Sequence, residues 1–262
     1  MDKVEYHLPT LLLMLDSKRP LDPQTILSIQ NHFFLKYNQQ SNAIEGNSLT
    51  LSETIVLLKH GITAKGKPFK DHLDIINHQK AILYLQDCLD LSNNLSEKII
   101  SEFNYLLLKG TERDEYAGGY RQVPVMIEGS EHIPPQPYLI AKKMESLISQ
   151  YNETALISGL DRIDLIAKLH ADFVHIHPFI DGNGRTGRLL MNFELMKHHY
   201  PPAIISLDER REYYEALASA DKGDYLSIQD LVRDAVKNST MEMLNVVFPD
   251  WRENYKHFSQ EK

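Results

Sequence analysis

One stretch of twelve residues, His177–Arg188, constrains the fold more than any other part of the chain. It joins two strongly apolar helical runs through a turn that contains two glycines. The first run reaches Ile176, and Pro178 then disfavours helical geometry at the residue before it. Gly182 and Gly184 allow backbone conformations that other residues avoid. The pattern predicts a helix, a tight polar turn and a second helix that begins at the turn.

Apolar residues at helical spacing also dominate the rest of the chain. Thr50 and Glu53 match a capping box at the start of one apolar run, and Gly61 marks its end. The sequence therefore predicts a mainly α fold. Further helices are expected at 26–35, 71–89, 96–107, from Lys142, 162–173, 186–198, 209–220 and 228–247.

The segment Gly118–Pro135 has a different pattern, with apolar residues that alternate with polar or small ones. The alternating residues are Val123, Val125 and Ile127. Glu128-Gly129-Ser130 is a turn signal, and the pattern as a whole predicts a short β-hairpin. Pro124 lacks an N–H group, so its strand is expected at a sheet edge.

Charge and cysteine content exclude several classes of partner and compartment. The formal net charge is -8, so nucleic acid and anionic membranes are not expected as partners. The one cysteine, Cys88, cannot form an intramolecular disulfide. The N-terminus lacks the basic start of a secretory signal, and the apolar run Leu11–Leu15 is too short to span a bilayer. These features predict a cytoplasmic protein.

The glycine-bearing turn has the composition of an anion site. At a helix N-terminus, free N–H groups and the positive end of the helix dipole face an anion. Arg185 and Arg188 are three residues apart and share a face near that end. Taken singly, the turn is a common sequence signal, and paired arginines usually belong to a solvated helix face.

Two further side chains extend this site towards chemistry. Asp181 offers oxygen ligands where Mg²⁺ on a phosphate would need them. His177 lies at the edge of the turn and can accept a proton near neutral pH. A histidine before proline is more often structural, but the combination within one short stretch favours a phosphate site.

The same stretch, His-Pro-Phe-Ile-Asp-Gly-Asn-Gly-Arg-Thr-Gly-Arg, resembles the Fic family signature at every specified position. The similarity runs from about Ser96 to Val236. It implies a Fic-type helical bundle with one short β-hairpin, the flap. It also implies transfer of AMP from ATP to Ser, Thr or Tyr hydroxyls of target proteins, with Mg²⁺ as cofactor.

The resemblance assigns a role to each residue of the signature. His177 would take the proton from the target hydroxyl, Phe179 would anchor the loop, and Asp181 would hold Mg²⁺. The ATP phosphates would be bound by Gly182, Asn183, Gly184, Arg185 and Arg188. The related Doc kinases have Lys at the position of Gly184, which argues against phosphorylation here.

Two segments outside the signature also resemble family features. The predicted hairpin with Val123, Val125 and Ile127 is similar to the flap, which would dock an extended target segment through main-chain bonds. A plain structural hairpin is the alternative reading. Upstream, Ser41–Gly46 is similar to the inhibitory motif of the class with an N-terminal inhibitory helix.

The inhibitory motif implies a specific ion pair. Glu45, with Ser41 in the same motif, would pair with Arg188 and occupy the cation that the ATP γ-phosphate needs. In some relatives the equivalent glutamate positions a water that removes AMP, so a de-AMPylating hydrolase is an alternative. A helix followed by a linker is the alternative without function.

Adenine recognition is expected from the run Glu209–Leu217. Tyr213 and Tyr214 are adjacent, so a helix points them about 100° apart. We expect Tyr214 to face the base, while core packing of both tyrosines is the alternative. Asp221 stands where relatives often have Asn near the nucleotide.

The resemblance divides the chain into three parts. These are an N-terminal helical region at 1–95, a Fic core at 96–236 and a C-terminal helical extension at 237–262. A homodimer is a further expectation, although no interface is evident from the sequence. Transfer of another nucleotide such as UMP, and a nucleotide-sensing interaction module with little catalysis, are the other functional alternatives.

Overall fold

The computed structural model describes residues 5–91, 94–154 and 156–260. Over these residues the chain forms eleven α-helices. No helix in the described part of the chain has the length and apolar composition of a membrane span. The helices are α1 (Leu8–Asp16), α2 (Pro23–Ile44), α3 (Leu51–His60), α4 (Phe69–Asp90), α5 (Glu97–Leu108), α6 (Ile140–Asn152), α7 (Leu160–Ile176), α8 (Asn183–Lys197), α9 (Arg210–Ala220), α10 (Leu226–Val247) and α11 (Trp251–Gln260).

Local sequence signals set several helix ends. The predicted capping box at α3 is confirmed, because the Thr50 side chain accepts from Glu53 N and the Glu53 carboxylate accepts from Thr50 N. Gly61 ends α3 in the left-handed conformation, with φ of 69°. Asp22 caps α2 by accepting from two backbone amides of its first turn.

Helix α8 occupies the centre of the fold. It packs against α2, α4, α5 and α7. All residues from Arg185 to Leu195 are buried, including the polar Asn192 and Glu194. A helix enclosed on all sides keeps one position and one rotation, because close packing leaves no room for it to shift. The residues at its N-terminus are therefore held in a defined orientation.

The predicted β-hairpin is wrong. Residues 118–135, which we call the flap segment, contain no strand in the described chain. The Arg121 side chain bridges the segment instead, with Nη1 donating to Val123 O at 3.1 Å and Nη2 donating to Pro135 O at 2.6 Å. Three prolines in the segment also remove N–H groups that a ladder would need. One guanidinium thus replaces the hydrogen bonds expected between two strands.

The C-terminal helix α11 packs onto the body of the molecule. Trp251 is fully buried in a second apolar cluster with residues of α1 and α10. Its ring contacts Tyr6 edge to face with centroids 4.8 Å apart, and its Nε1 donates to Asn245 at 2.9 Å. Helix α10 runs without a break through positions 236 and 237. The three-part division of the chain stays a prediction.

Replacing Trp251 with alanine should destabilise the whole chain. Truncating a fully buried Trp removes apolar contacts and leaves a cavity, which costs about 3–5 kcal/mol. The measurement is urea unfolding followed by circular dichroism. The matched control is Leu156→Ala, because Leu156 is 98% exposed and should leave the unfolding free energy nearly unchanged. Equal stability of the two variants would contradict the packing of α11 on the body.

Candidate active site

The turn between α7 and α8 departs from helical geometry at both ends. His177 follows the last residue of α7 and adopts a left-handed conformation with φ of 50° and ψ of 59°. A residue with a β-carbon is uncommon in this region. Pro178 disfavours the right-handed helical alternative at His177. Gly182 takes φ of 76° directly before α8. The chain thus leaves α7 and enters α8 through two backbone positions of positive φ.

Side chains inside the turn hold its shape. The Asn183 side chain accepts from Phe179 N and donates to Phe179 O, both at 2.9 Å. The Phe179 ring is fully buried and packs near Phe173 and Tyr120. This burial fits the loop-anchoring role that the resemblance implies for Phe179. The turn is therefore a rigid element before any ligand arrives.

The N-terminus of α8 presents backbone amides to the turn. The first backbone hydrogen bond of the helix runs from Thr186 N to Gly182 O at 2.9 Å. Among the described residues, the amides of Asn183 and Gly184 consequently have no acceptor within the helix. The Gly182 amide already donates to Asp181 Oδ1 at 2.6 Å. Asn183 and Gly184 are therefore the amides best placed to meet an anion.

Arg188 lies beneath these amides and is almost completely buried. Its Nε donates to Ser41 Oγ at 2.9 Å, and its Nη2 donates to Ser41 O at 2.8 Å. Nη2 also donates to Glu45 Oε1 at 2.7 Å, and the Tyr213 hydroxyl lies 3.4 Å from Nη1. The structure thus brings Ser41, Glu45 and Arg188 together, as the inhibitory motif implied.

Glu45 occupies the space in front of Gly184. A β-carbon built on Gly184 would collide with Glu45 Oε1 and lie 3.2 Å from Arg188 Nη1. Burial by itself would raise the pKa of Glu45, but the Arg188 charge and hydrogen bond hold it below its usual range. The Glu45 charge in turn raises the pKa of Arg188. An ionised carboxylate therefore lies at the anion-binding end of α8.

His177 is held at the opposite side of the turn. Its backbone oxygen accepts from Arg121 Nε at 2.8 Å, which ties the flap segment to the end of α7. Burial lowers the pKa of the His177 imidazole to about 4, although the nearby Val174 backbone acts in the opposite direction. The ring is neutral at physiological pH and can accept a proton.

Arg185 points away from the turn into a buried ion pair. Its Nη1 donates to Asp74 Oδ1 of α4 at 2.9 Å, and both side chains are almost fully buried. Asn42 Oδ1 lies 3.5 Å from the same nitrogen. This guanidinium thus already has a carboxylate partner. The contact of Arg185 with a phosphate stays a prediction. Arg188 is the arginine that faces the amides of α8.

The two neighbouring tyrosines differ in exposure, as expected for adjacent residues that point in different directions from a helix. Tyr213 is fully buried, and its hydroxyl lies 2.9 Å from His170 Nε2. Tyr214 is 41% exposed, and Arg210 lies over its ring at 5.3 Å. Of the two, only Tyr214 has a surface available to a ligand. Its role in adenine binding stays a prediction.

Asp181 is the residue that could hold a magnesium ion. Its side chain is exposed beside the N-terminus of α8, and one of its oxygens accepts from the Gly182 amide. A single carboxylate completed by phosphate oxygens and water is the common coordination of Mg²⁺ at nucleotides. The donor type and position of Asp181 fit this ion.

Some residues that organise the site were missed from the sequence. Asn104 of α5 donates to Asp181 O at 2.9 Å and accepts from Gly118 N at 3.0 Å, so it joins the turn to the flap segment. Arg121 and Asp74 act in the same way, through contacts that connect distant parts of the chain. The sequence offered one signal for such residues, which is a polar side chain such as Asn104 at a helix position where the apolar spacing predicts a buried residue.

Comparisons with known proteins agree with this geometry. Residues 94–195 match the family model described as Fic/DOC family. The protein adenylyltransferase Fic of Nematostella vectensis is 36% identical over 195 residues, which cover 73% of this chain and 44% of that protein. A protein of the same name from Drosophila persimilis is 32% identical over 87% of this chain and 45% of its own length. The chain thus spans less than half the length of these curated relatives.

Solved structures show the same fold. A Fic domain containing signaling protein from Bacteroides thetaiotaomicron superposes with a TM-score of 0.82 at 27% identity, over 92% of this chain and 96% of that one. Fic-1 (residues 134–508) from C. elegans gives a TM-score of 0.79 at 26% identity, over 91% of this chain and 70% of that one. The similarity therefore extends well beyond the twelve-residue turn.

The imidazole of His177 should stay neutral far below the usual histidine range. Burial disfavours the charged ring, so its protonation should begin only as the pH falls towards about 4. The measurement is a proton NMR titration of the histidine ring signals, with the His177 signal assigned by its loss in His177→Ala. A midpoint between pH 6 and 7 for that signal would contradict the prediction.

Proposed function

Because this chain belongs to the Fic/DOC family, we propose that it is a protein adenylyltransferase that moves AMP from ATP to a hydroxyl side chain of a protein. One observation carries the proposal. A neutral, partly buried imidazole and the free amides of a helix N-terminus flank one rigid turn. This arrangement supports a mechanism in which a proton acceptor and an anion site would act on the same reacting group.

The proposed reaction is an in-line displacement at the α-phosphorus of ATP. The target hydroxyl oxygen forms the new bond to phosphorus, while the bond from the α-phosphorus to the bridging oxygen breaks. Pyrophosphate leaves with the electron pair, and His177 takes the hydroxyl proton. Because the ring is neutral at physiological pH, it is ready to accept that proton.

The remaining residues of the turn would position and neutralise the phosphates. The Asn183 and Gly184 amides would donate to phosphate oxygens, and the absent side chain of Gly184 lets them approach closely. Arg188 would meet the γ-phosphate. Mg²⁺ held by Asp181 would neutralise charge on the phosphates.

The flap segment would dock the target. It has no internal strand, so main-chain groups of Val125 and the N–H of Ile127 would pair with an extended peptide, while the Ile127 oxygen already accepts from Ser130 N at 3.2 Å. Val123 is 53% exposed and Met126 is 95% exposed, which gives the docked peptide an apolar surface. The target hydroxyl would then lie towards His177, whose backbone Arg121 ties to the same segment.

We further propose that Glu45 holds the transfer activity low. The Glu45 carboxylate and an ATP γ-phosphate are both anions that would pair with Arg188. The contact of Glu45 with Arg188 at 2.7 Å, in front of Gly184, supports competition for one position. With Glu45 in place, ATP would bind with its phosphates displaced and its α-phosphorus out of line with the hydroxyl.

Substitution of Glu45 should activate the enzyme. We expect Glu45→Gly to raise AMP transfer roughly 10- to 100-fold, the usual range for a coupling between two sites. The double variant Glu45→Gly/His177→Ala should transfer AMP about 10²- to 10⁴-fold more slowly than Glu45→Gly, because the proton acceptor is lost. Incorporation of radioactive AMP from labelled ATP, into the chain itself or into a lysate, measures both effects.

The control is Glu112→Gly, which removes an exposed glutamate from a turn outside the site. It should label at the wild-type rate. If wild type and Glu45→Gly label equally, the proposed inhibition is wrong. If Glu45→Gly binds ATP by calorimetry but gives no covalent label, the chain is a nucleotide-sensing module and not an adenylyltransferase. If unlabelled UTP lowers the labelling more strongly than unlabelled ATP does, the transferred group is UMP rather than AMP, and the proposed site is unchanged.

The position of Glu45 also favours a second candidate, removal of AMP from a modified protein. Its carboxylate is ionised and close to the anion-binding amides, so it could orient a water towards a bound phosphate. Glu45→Gly and Glu45→Gln should then each abolish release of AMP from a purified AMPylated protein. The released AMP is measured by chromatography. Equal release by wild type and both variants would contradict the hydrolase.

A further inference from the structure

Three metal-binding side chains from separate parts of the fold meet beside the end of α7. His132 comes from the flap segment, His175 from the last turn of α7, and Asp221 from the residue after α9. One ligand atom of each side chain lies within 4.8 Å of the others. The two imidazole rings lie against each other with centroids 4.1 Å apart. AMP transfer as proposed above uses none of the three side chains.

The hydrogen bonds of His132 define its tautomer. Its Nε2 lies 2.8 Å from the backbone oxygen of His175. A carbonyl oxygen only accepts, so Nε2 carries the proton and donates. A histidine that binds a metal commonly donates its other N–H to a backbone carbonyl in this way, which fixes the ring. The second ring nitrogen, Nδ1, is then free to act as a ligand.

That nitrogen faces a carboxylate. His132 Nδ1 lies 3.9 Å from Asp221 Oδ1, too far for a direct hydrogen bond. In the neutral ring both atoms present lone pairs, so they repel each other unless a cation lies between them. The same Asp221 oxygen lies 2.8 Å from His175 Nδ1. One carboxylate oxygen is thus shared by two imidazoles, and all three side chains are only partly exposed.

We propose that His132, His175 and Asp221 form a binding site for a divalent transition-metal ion, and that Zn²⁺ is the ion this donor set fits. Two imidazole nitrogens and one carboxylate oxygen suit zinc, whereas Mg²⁺ prefers oxygen ligands alone. Water would complete a tetrahedron. His175 would bind through Nδ1 after its proton moves to Nε2, so the ring stays neutral.

The required movement is small. Zinc bonds of about 2.0–2.1 Å put the ligand atoms of a tetrahedron about 3.4 Å apart. The His132–Asp221 pair, now 3.9 Å apart, would therefore close by about 0.5 Å, and the His175–Asp221 pair, now 2.8 Å apart, would open by about 0.6 Å. The ion would fasten the outer part of the flap segment to α7, two residues before His177. Arg121 already fastens the inner part of that segment, so bound zinc would order its whole length.

Calorimetry with zinc chloride tests the site on the full chain, without an affinity tag and after treatment with a chelator. We expect one ion per chain for wild type, and binding at least about tenfold weaker, or about 1.4 kcal/mol, for His132→Ala and for Asp221→Ala. The matched control is His60→Ala, an exposed histidine of α3, which should bind as wild type does. No binding by wild type, or unchanged binding by both site variants, would overturn the proposal.

Two measurements on wild type keep the test independent of how the variants fold. Co²⁺ should give the intense visible absorption of a tetrahedral site, and zinc should displace it. Hydrogen exchange at residues 122–135 should slow when zinc is added to wild type but not to His132→Ala. Absence of the cobalt bands, or exchange in this segment that zinc leaves unchanged, would also overturn the proposal.

Discussion

The buried guanidinium of Arg188 is the group on which the rest of the site depends. A charge removed from water needs a counter-charge and hydrogen bonds, or it is strongly destabilising. Ser41 supplies two acceptors from α2, and Glu45 supplies the negative charge. A polyphosphate could supply that charge instead. In the proposed inhibition, two mutually exclusive anions for one buried cation would give the site two states, and Glu45 at the end of α2 would supply the anion in one of them.

The position of Arg188 follows from the burial of α8. Residues on every side of this helix are covered by neighbouring helices, so neither its axis nor its rotation can change without cavities opening. This rigidity extends to the turn, where Asn183 holds Phe179 and Asn104 holds the Asp181 backbone. The amides of α8 are consequently oriented in advance, which is the condition for electrostatic stabilisation of a transition state.

The same turn is the meeting point of distant segments. Arg121 links the end of α7 to both ends of the flap segment, and Asp74 links α4 to the first turn of α8 through Arg185. Each link is a charged or polar side chain that is nearly buried. The proposed metal site would add a further link from the flap segment to α7. The turn between α7 and α8 is therefore connected to the N-terminal helices and to the flap segment by different contacts.

Local chemistry in the sequence determined much of this protein. Apolar spacing located the helices, the Thr50–Glu53 box and Gly61 bounded α3, and the order of residues from His177 to Arg188 identified the family and the turn. These features depend on neighbours within a few residues. The tertiary structure alone decided that Arg121 replaces a β-ladder in the flap segment, that Arg185 pairs with Asp74, and that His132 meets Asp221. A side chain's partner across the fold depends on how helices pack, and that arrangement is set by the whole core rather than by the residues beside it in the chain.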